Sequence, residues 1–136
     1  MERIINYGVI GCGMMGQEHL RNIALLPGAR VAAIFEPDRY MADAAKAIAP
    51  NAKLVGSIAD LLAMPEIDCL LVVSPNHMHV PQFEEIAGTR PLPLLIEKPL
   101  YTDPAQAAPR PLYTRSSLQP GFARLGRQGA GKGCIH

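Results

Sequence analysis

The 136-residue chain contains no tryptophan, and its aromatic side chains are only four tyrosines and three phenylalanines. Ala, Ile, Leu and Val therefore build the core, which is the composition expected of a parallel sheet covered by helices. No run of 18 apolar residues occurs, so a membrane-spanning helix is excluded. Residues 1–15 lack the long apolar core and small-residue cleavage site of a secretory signal. Cysteine is scarce: Cys12, Cys69 and Cys134 are an odd set without metal-ligand spacing. That argues against a disulfide framework and for a reduced, cytoplasmic protein with free thiols. There is no charge excess either, since the net charge of +1 points to no particular partner. One absence is local. Residues 104–136 hold five Lys and Arg and no acid, a net of +5, whereas residues 1–103 hold eight against all 12 Asp and Glu, a net of −4. The chain thus has two regimes: a domain over 1–108, and a basic segment over 109–136 with three prolines and five glycines, which reads as disordered.

What is present alternates between two periods. Residues 4–10 form a continuous apolar run that reads as a first strand, buried on both faces. Residues 14–26 come next as a helix that Pro27 and Gly28 end. A second strand over 30–36, an Ala-rich helix over 38–48 and a short third strand over 53–55 succeed it. Ser57 opens a short helix through Ala63, with Asp60 at its third position. A very apolar fourth strand over 68–73, a helix over 80–87 with Pro81 in its first turn, and a fifth strand over 92–96 complete the pattern. Strands alternating with helices imply a doubly wound parallel α/β sheet with right-handed crossovers. Ligands bind such sheets at the carboxyl ends of the strands, where the strand order reverses. Function is therefore sought just after each strand.

After the first strand stands Gly11-Cys12-Gly13-Met14-Met15-Gly16. The spacing G-x-G-x-x-G is weak alone; between a strand and a helix it is the dinucleotide-binding fingerprint. Gly11 permits the tight turn, Gly13 lets the backbone approach a pyrophosphate, and Gly16 lets the helix pack on the strand. The backbone through Cys12, Met14 and Met15 supplies free N–H groups at a positive helix end. After the second strand stands Glu36, 20 residues beyond Gly16. It can accept bonds from both hydroxyls of the adenosine ribose, which favours NAD over NADP, or it is simply a solvated acid before Pro37. Arg39 lies near enough to keep NADP open. After the fourth strand come Ser74, Asn76 and His79. Asn76 can bond a cofactor ribose or cap the next helix; His79 can line the cofactor groove or bond backbone at the helix start. His77 and His79 find no acid or cysteine nearby to complete a metal site. After the fifth strand comes Glu97-Lys98-Pro99. A lysine there is either a surface side chain in a turn or a group that removes or delivers the hydroxyl proton in hydride transfer.

Taken in order, the glycine turn with His19, then Glu36, then Pro75-Asn76-x-x-His79, then Glu97-Lys98-Pro99 resembles the Gfo/Idh/MocA oxidoreductases. The resemblance covers roughly residues 1–108. It implies a Rossmann domain binding NAD or NADP, and substrates that are sugars, inositols or related polyols. It implies further that Lys98 is catalytic, that Asn76 and His79 lie near the nicotinamide ribose, that Ser74 and Lys98 are cofactor-binding positions, and that Glu97 lies beside the cofactor. No nucleic-acid or membrane partner is expected.

The chain departs from the family's pattern in two places. The approach to the lysine, Thr89-Arg90-Pro91-Leu92-Pro93, is long and rich in proline, so the fifth strand should start irregularly. Residues 101–108 open like a further helix, with Thr102 or Asp103 as cap, but Pro109 and Pro111 break it. No Asp occurs after Asp103 and the only later His is His136, so the Asp and His that partner the lysine in the family are absent. We therefore expect a sheet incomplete at its C-terminal end, very weak catalysis by this chain alone, and a tendency to self-associate. The alternatives are a non-catalytic nucleotide-binding module and an inactive gene fragment with an out-of-frame ending. Under the last reading, a neighbouring frame of the coding DNA past codon 108 restores a helix, a strand and an Asp-x-x-x-His pattern.

Overall fold

The computed structural model describes residues 3–107. Strand β1 (Ile5–Ile10) leads through the glycine turn into helix α1 (Met14–Ala24). Next in the chain are β2 (Ala29–Phe35), α2 (Arg39–Ile48), β3 (Lys53–Leu54), α3 (Ile58–Leu62) and β4 (Cys69–Val72). A 3-10 turn, Asn76–Met78, runs directly into α4 (His79–Thr89); β5 (Leu94–Ile96) and a second 3-10 turn, Pro104–Ala107, come last.

The five strands are all parallel, in the order β3-β2-β1-β4-β5. The chain winds one way from β1 to β3 and the other way from β4 to β5. The order therefore reverses between β1 and β4, and a crevice opens there at the carboxyl ends. Alternation along β1 serves both faces. Val9 packs with Ile34, Leu71, Leu20, Ile23 and Ala45 beneath α1 and α2. Ile10 packs with Ala33, Leu70, Val72, Leu61 and Ile86 beneath α3 and α4. At about 25 cal/mol per Å2 of buried apolar surface, these two layers are the main driving force for the fold.

Local chemistry explains the helix starts. The Asp38 carboxylate accepts from Met41 N at 2.9 Å, and the Ser57 hydroxyl accepts from Asp60 N at 3.0 Å. Each cap satisfies a first-turn donor that no carbonyl can reach.

The boundaries differ from the expected ones where proline acts. The helix expected over 14–26 ends at Ala24. Pro27 cannot continue it, and Leu25, 81% exposed, turns outward with its N–H tightened onto Asn22 O. The fifth strand begins at Leu94 rather than residue 92, because Pro91 and Pro93 have no N–H for the ladder. The helix expected over 80–87 runs longer, Asn76–Met78 supplying a lead-in turn. The helix opening expected over 101–108 is a 3-10 turn in which Asp103, not Thr102, caps, accepting from Ala105 N at 2.9 Å. Among the described residues β5 forms one edge of the sheet. Residues 109–136, expected to be a disordered tail, lie outside the described residues.

Arg90 holds the far side of the fold together. Its guanidinium donates to Leu62 O at 3.1 Å, Met64 O at 2.7 Å and Ile67 O at 3.1 Å. These carbonyls belong to the C-terminal end of α3 and the turn after it, where spare acceptor capacity and the negative end of the helix dipole favour a cation. Arg90→Ala leaves those carbonyls to water and costs about 1–3 kcal/mol. The check is urea unfolding: the midpoint falls with the slope unchanged, whereas an unaltered midpoint contradicts the role.

Candidate functional site: the carboxyl ends of the strands

The crevice starts at the glycine turn. Gly11 has φ +91°, and a Cβ there would stand 2.5 Å from Ser74 N, so only glycine fits. Its N–H donates to Phe35 O at 2.9 Å, tying the turn to β2 as well. A Cβ on Gly16 would meet Gly11 O at 2.4 Å, so α1 sits directly on the turn. A Cβ on Gly13 would meet nothing within 4 Å. The space over Gly13 is open, and α1 begins there with no side-chain cap on its first-turn donors. This is the physical form of an anion site: free N–H groups, the positive end of an 11-residue helix, and room for a phosphate against the backbone. Met14 and Met15 are exposed beside it.

Cys12 has a different part. Its side chain is fully buried in the core, and burial, with the Glu36 charge second, pushes its thiol up to about 12. Its backbone N–H donates to Glu36 Oε1 at 2.9 Å, and its carbonyl accepts from Gln17 Nε2 at 3.1 Å. The other Glu36 oxygen accepts from Asp38 N at 3.1 Å. Two backbone donors thus hold the Glu36 carboxylate at the end of β2, half-buried, with acceptor capacity left for a further donor.

At the end of β4 the polar atoms turn inward. Ser74 is buried and its hydroxyl bonds Gln82 Oε1 on α4. Its carbonyl lies 2.8 Å from His79 Nε2. His79 is 0% exposed, and its Nδ1 lies 2.6 Å from Pro99 O; the neutral ring has one N–H to give to one of these two carbonyls. One imidazole therefore bridges the segments beyond β4 and β5. Asn76 stands exposed at the head of the 3-10 turn.

At the end of β5, Glu97 N donates to Val72 O at 3.0 Å, continuing the ladder past the strand. The Glu97 carboxylate bonds His19 Nε2, on α1, at 2.8 Å. Lys98 is exposed, makes no hydrogen bond to the described residues, and precedes Pro99 through a cis peptide bond. Glu36, the glycine turn, Ser74 and Glu97-Lys98 therefore stand at the ends of four adjacent strands, β2, β1, β4 and β5. At about 4.8 Å per strand that row is roughly 14 Å long, the scale of a dinucleotide lying across the crevice.

Over residues 5–109 the chain matches the model of an oxidoreductase family with an NAD-binding Rossmann fold. It belongs to the Gfo/Idh/MocA oxidoreductases. An inositol 2-dehydrogenase of Corynebacterium glutamicum strain R is 39% identical over 108 residues, covering 76% of this chain and 31% of that protein. The crystal structure of myo-inositol dehydrogenase from Lactobacillus casei, in complex with NAD(H) and myo-inositol, superposes with a TM-score of 0.70 at 28% identity, covering 95% of this chain and 42% of that one. The WlbA dehydrogenase of Bordetella pertussis, in complex with NADH and UDP-GlcNAcA, gives 0.69 at 28% identity, covering 79% and 31%. The chain spans about a third of the length of the curated relatives it matches.

In this Gfo/Idh/MocA chain the fold brings Glu36, the glycine turn and the Lys98 loop into one crevice, and it turns the side chains of Cys12, Ser74 and His79 away from solvent. Sequence reading missed Gln82 and the Pro99 carbonyl as supports. Gln82 had left a signal, being a polar residue on the buried stripe of α4 with Val80, Phe83 and Ile86.

Cys12 and Cys69 together give the fold a pH limit. Burial pushes Cys69 up to about 11, with the Asp68 charge second. Both thiols sit above their unfolded values, so the folded form binds protons that the unfolded chain releases first. Stability is whole below about pH 9 and falls as pH rises toward 11–12. Denaturant midpoints from pH 7 to 10.5 should decline with this sign, and Cys12 should resist alkylation at pH 8 until the chain unfolds, as read by peptide mass spectrometry.

Proposed function

We propose that this chain is the cofactor domain of an NAD-dependent dehydrogenase acting on a CH–OH carbon of a sugar, inositol or related polyol. The observation that carries this reading is the row at the strand ends: a half-buried carboxylate, an open glycine turn at an uncapped helix start and an exposed amine, in the order that a dinucleotide and its substrate require.

The residues present fit the cofactor. The open space over Gly13 and the uncapped start of α1 would take the pyrophosphate. Glu36 would accept from the adenosine ribose hydroxyls; its charge opposes a 2′-phosphate, which makes NAD the cofactor ahead of NADP despite exposed Arg39 nearby. Asn76, exposed beyond β4, would meet the nicotinamide ribose. Ser74 and His79 are positioning residues, with their polar side-chain atoms committed to Gln82, Pro99 O and Ser74 O.

NAD supplies, when bound, the acceptor for the hydride that leaves the substrate carbon. Lys98 takes the hydroxyl proton as an amine while the C=O bond forms, and returns it as an ammonium in the reverse direction. His79 holds the carbonyl of the next residue and so fixes where the amine starts from. The thiols suit a reducing, cytoplasmic setting, and no helix among the described residues is long and apolar enough to cross a membrane.

NADH titration of the full chain, monitored by cofactor fluorescence, tests this. Glu36→Ala should weaken binding about 10- to 100-fold, from the loss of one or two charge-assisted bonds. Lys98→Ala should leave affinity within about twofold, because its role is chemical. Unchanged affinity in Glu36→Ala, or lost affinity in Lys98→Ala, overturns the assignment.

A further inference from the structure

The pair His19–Glu97 has no part in that scheme, yet it links the helix behind the phosphate turn to the loop that carries the lysine. Resting on the cofactor reading above, we propose that Glu97, aimed by His19, sets the preference of this domain for NAD+ over NADH. Three observations carry it. First, the direction of the dinucleotide is dictated by the strand order. With its adenosine ribose at Glu36 on β2 and its pyrophosphate at α1, its other half must run over the ends of β4 and β5. Glu97 closes that end, one residue past β5.

Second, Glu97 is anchored where Lys98 is not. Its backbone is held by Val72 O at 3.0 Å and its Oε1 by His19 Nε2 at 2.8 Å. The two side chains remain partly open to the crevice, at 23% and 28% exposure. A carboxylate bonded to a neighbouring ring, on a residue whose backbone is also tied to the sheet, keeps its place when a ligand arrives; one free to rotate would turn with the solvent.

Third, the two redox forms differ at that end by one charge. The nicotinamide ring is cationic in NAD+ and neutral in NADH, while everything from the pyrophosphate to the adenine is the same. Glu97 places a fixed negative charge at that end, which favours the cationic ring. His19 donates through Nε2 and keeps the carboxylate turned along α1. At roughly 6 Å and an effective dielectric between half that of water and that of bulk water, one carboxylate discriminates the two forms by about 3- to 10-fold.

The test is the ratio of NAD+ to NADH dissociation constants for the full chain, measured by calorimetry at one pH and ionic strength. Glu97→Gln, nearly isosteric, should lower NAD+ affinity relative to NADH by about 3- to 10-fold. His19→Leu should shift the ratio the same way, and His19→Gln, which restores a donor, should recover most of it. A purely structural role would weaken both forms equally. An unchanged ratio in Glu97→Gln with both forms still bound overturns this inference and leaves the cofactor reading standing. Failure of the unsubstituted chain to bind either form overturns both.

Discussion

The approach of the glycine turn to the end of β4 is the contact on which the rest of the crevice depends. Gly11 lies so close to Ser74 that a single added carbon would collide with the Ser74 backbone. That closeness seats α1 beside the end of β4 and puts its free N–H groups at the point where the strand order reverses. It also fixes Ser74, whose carbonyl receives the His79 ring, whose other nitrogen holds the Pro99 carbonyl next to Lys98. A steric constraint at the end of β1 is thereby transmitted across the sheet to the loop after β5.

The polar groups along this path are buried, and that gives them their leverage. The Ser74 hydroxyl, the Gln82 amide and the His79 ring sit where an unpaired donor or acceptor would cost its full desolvation. Each has a partner, so the network is rigid and specifies one arrangement of the loops. Charge is distributed differently. Glu36 stands at one end of the row and the Glu97–Lys98 pair at the other, all partly or fully open to solvent, where a ligand can meet them. The interior of the site gives shape, and its rim supplies charge.

Much of this was legible in the sequence, because the signals are local. The turn Gly11-x-Gly13-x-x-Gly16 lies between an apolar run and a helix. Ser57 caps as its position promises, and the prolines Pro91 and Pro93 make the approach to β5 irregular as expected. Glu36 and Lys98 were singled out because a parallel sheet gathers the residues beyond its strand ends on one side. Other features were hidden because their partners are distant. His79 and Pro99 are 20 residues apart, Arg90 and Met64 are 26, and His19 and Glu97 are 78. No periodicity reports such pairs. For His79 the residues alone allowed a groove-lining role and a backbone-bonding role, and its burial is what distinguishes them.

By itself, then, the sequence determined the fold class, the strand and helix order, and the residues that stand at the strand ends, since spacing, caps and prolines act over a few neighbours. Only the tertiary structure decided which of those residues stay open to solvent and which face the core. Cys12, Ser74 and His79 come after strand β1 or β4 just as Glu36 and Lys98 come after β2 and β5, yet they point inward. The reason is physical: a side chain's exposure depends on the helix packed over it and the strand beside it, and both arrive from far along the chain.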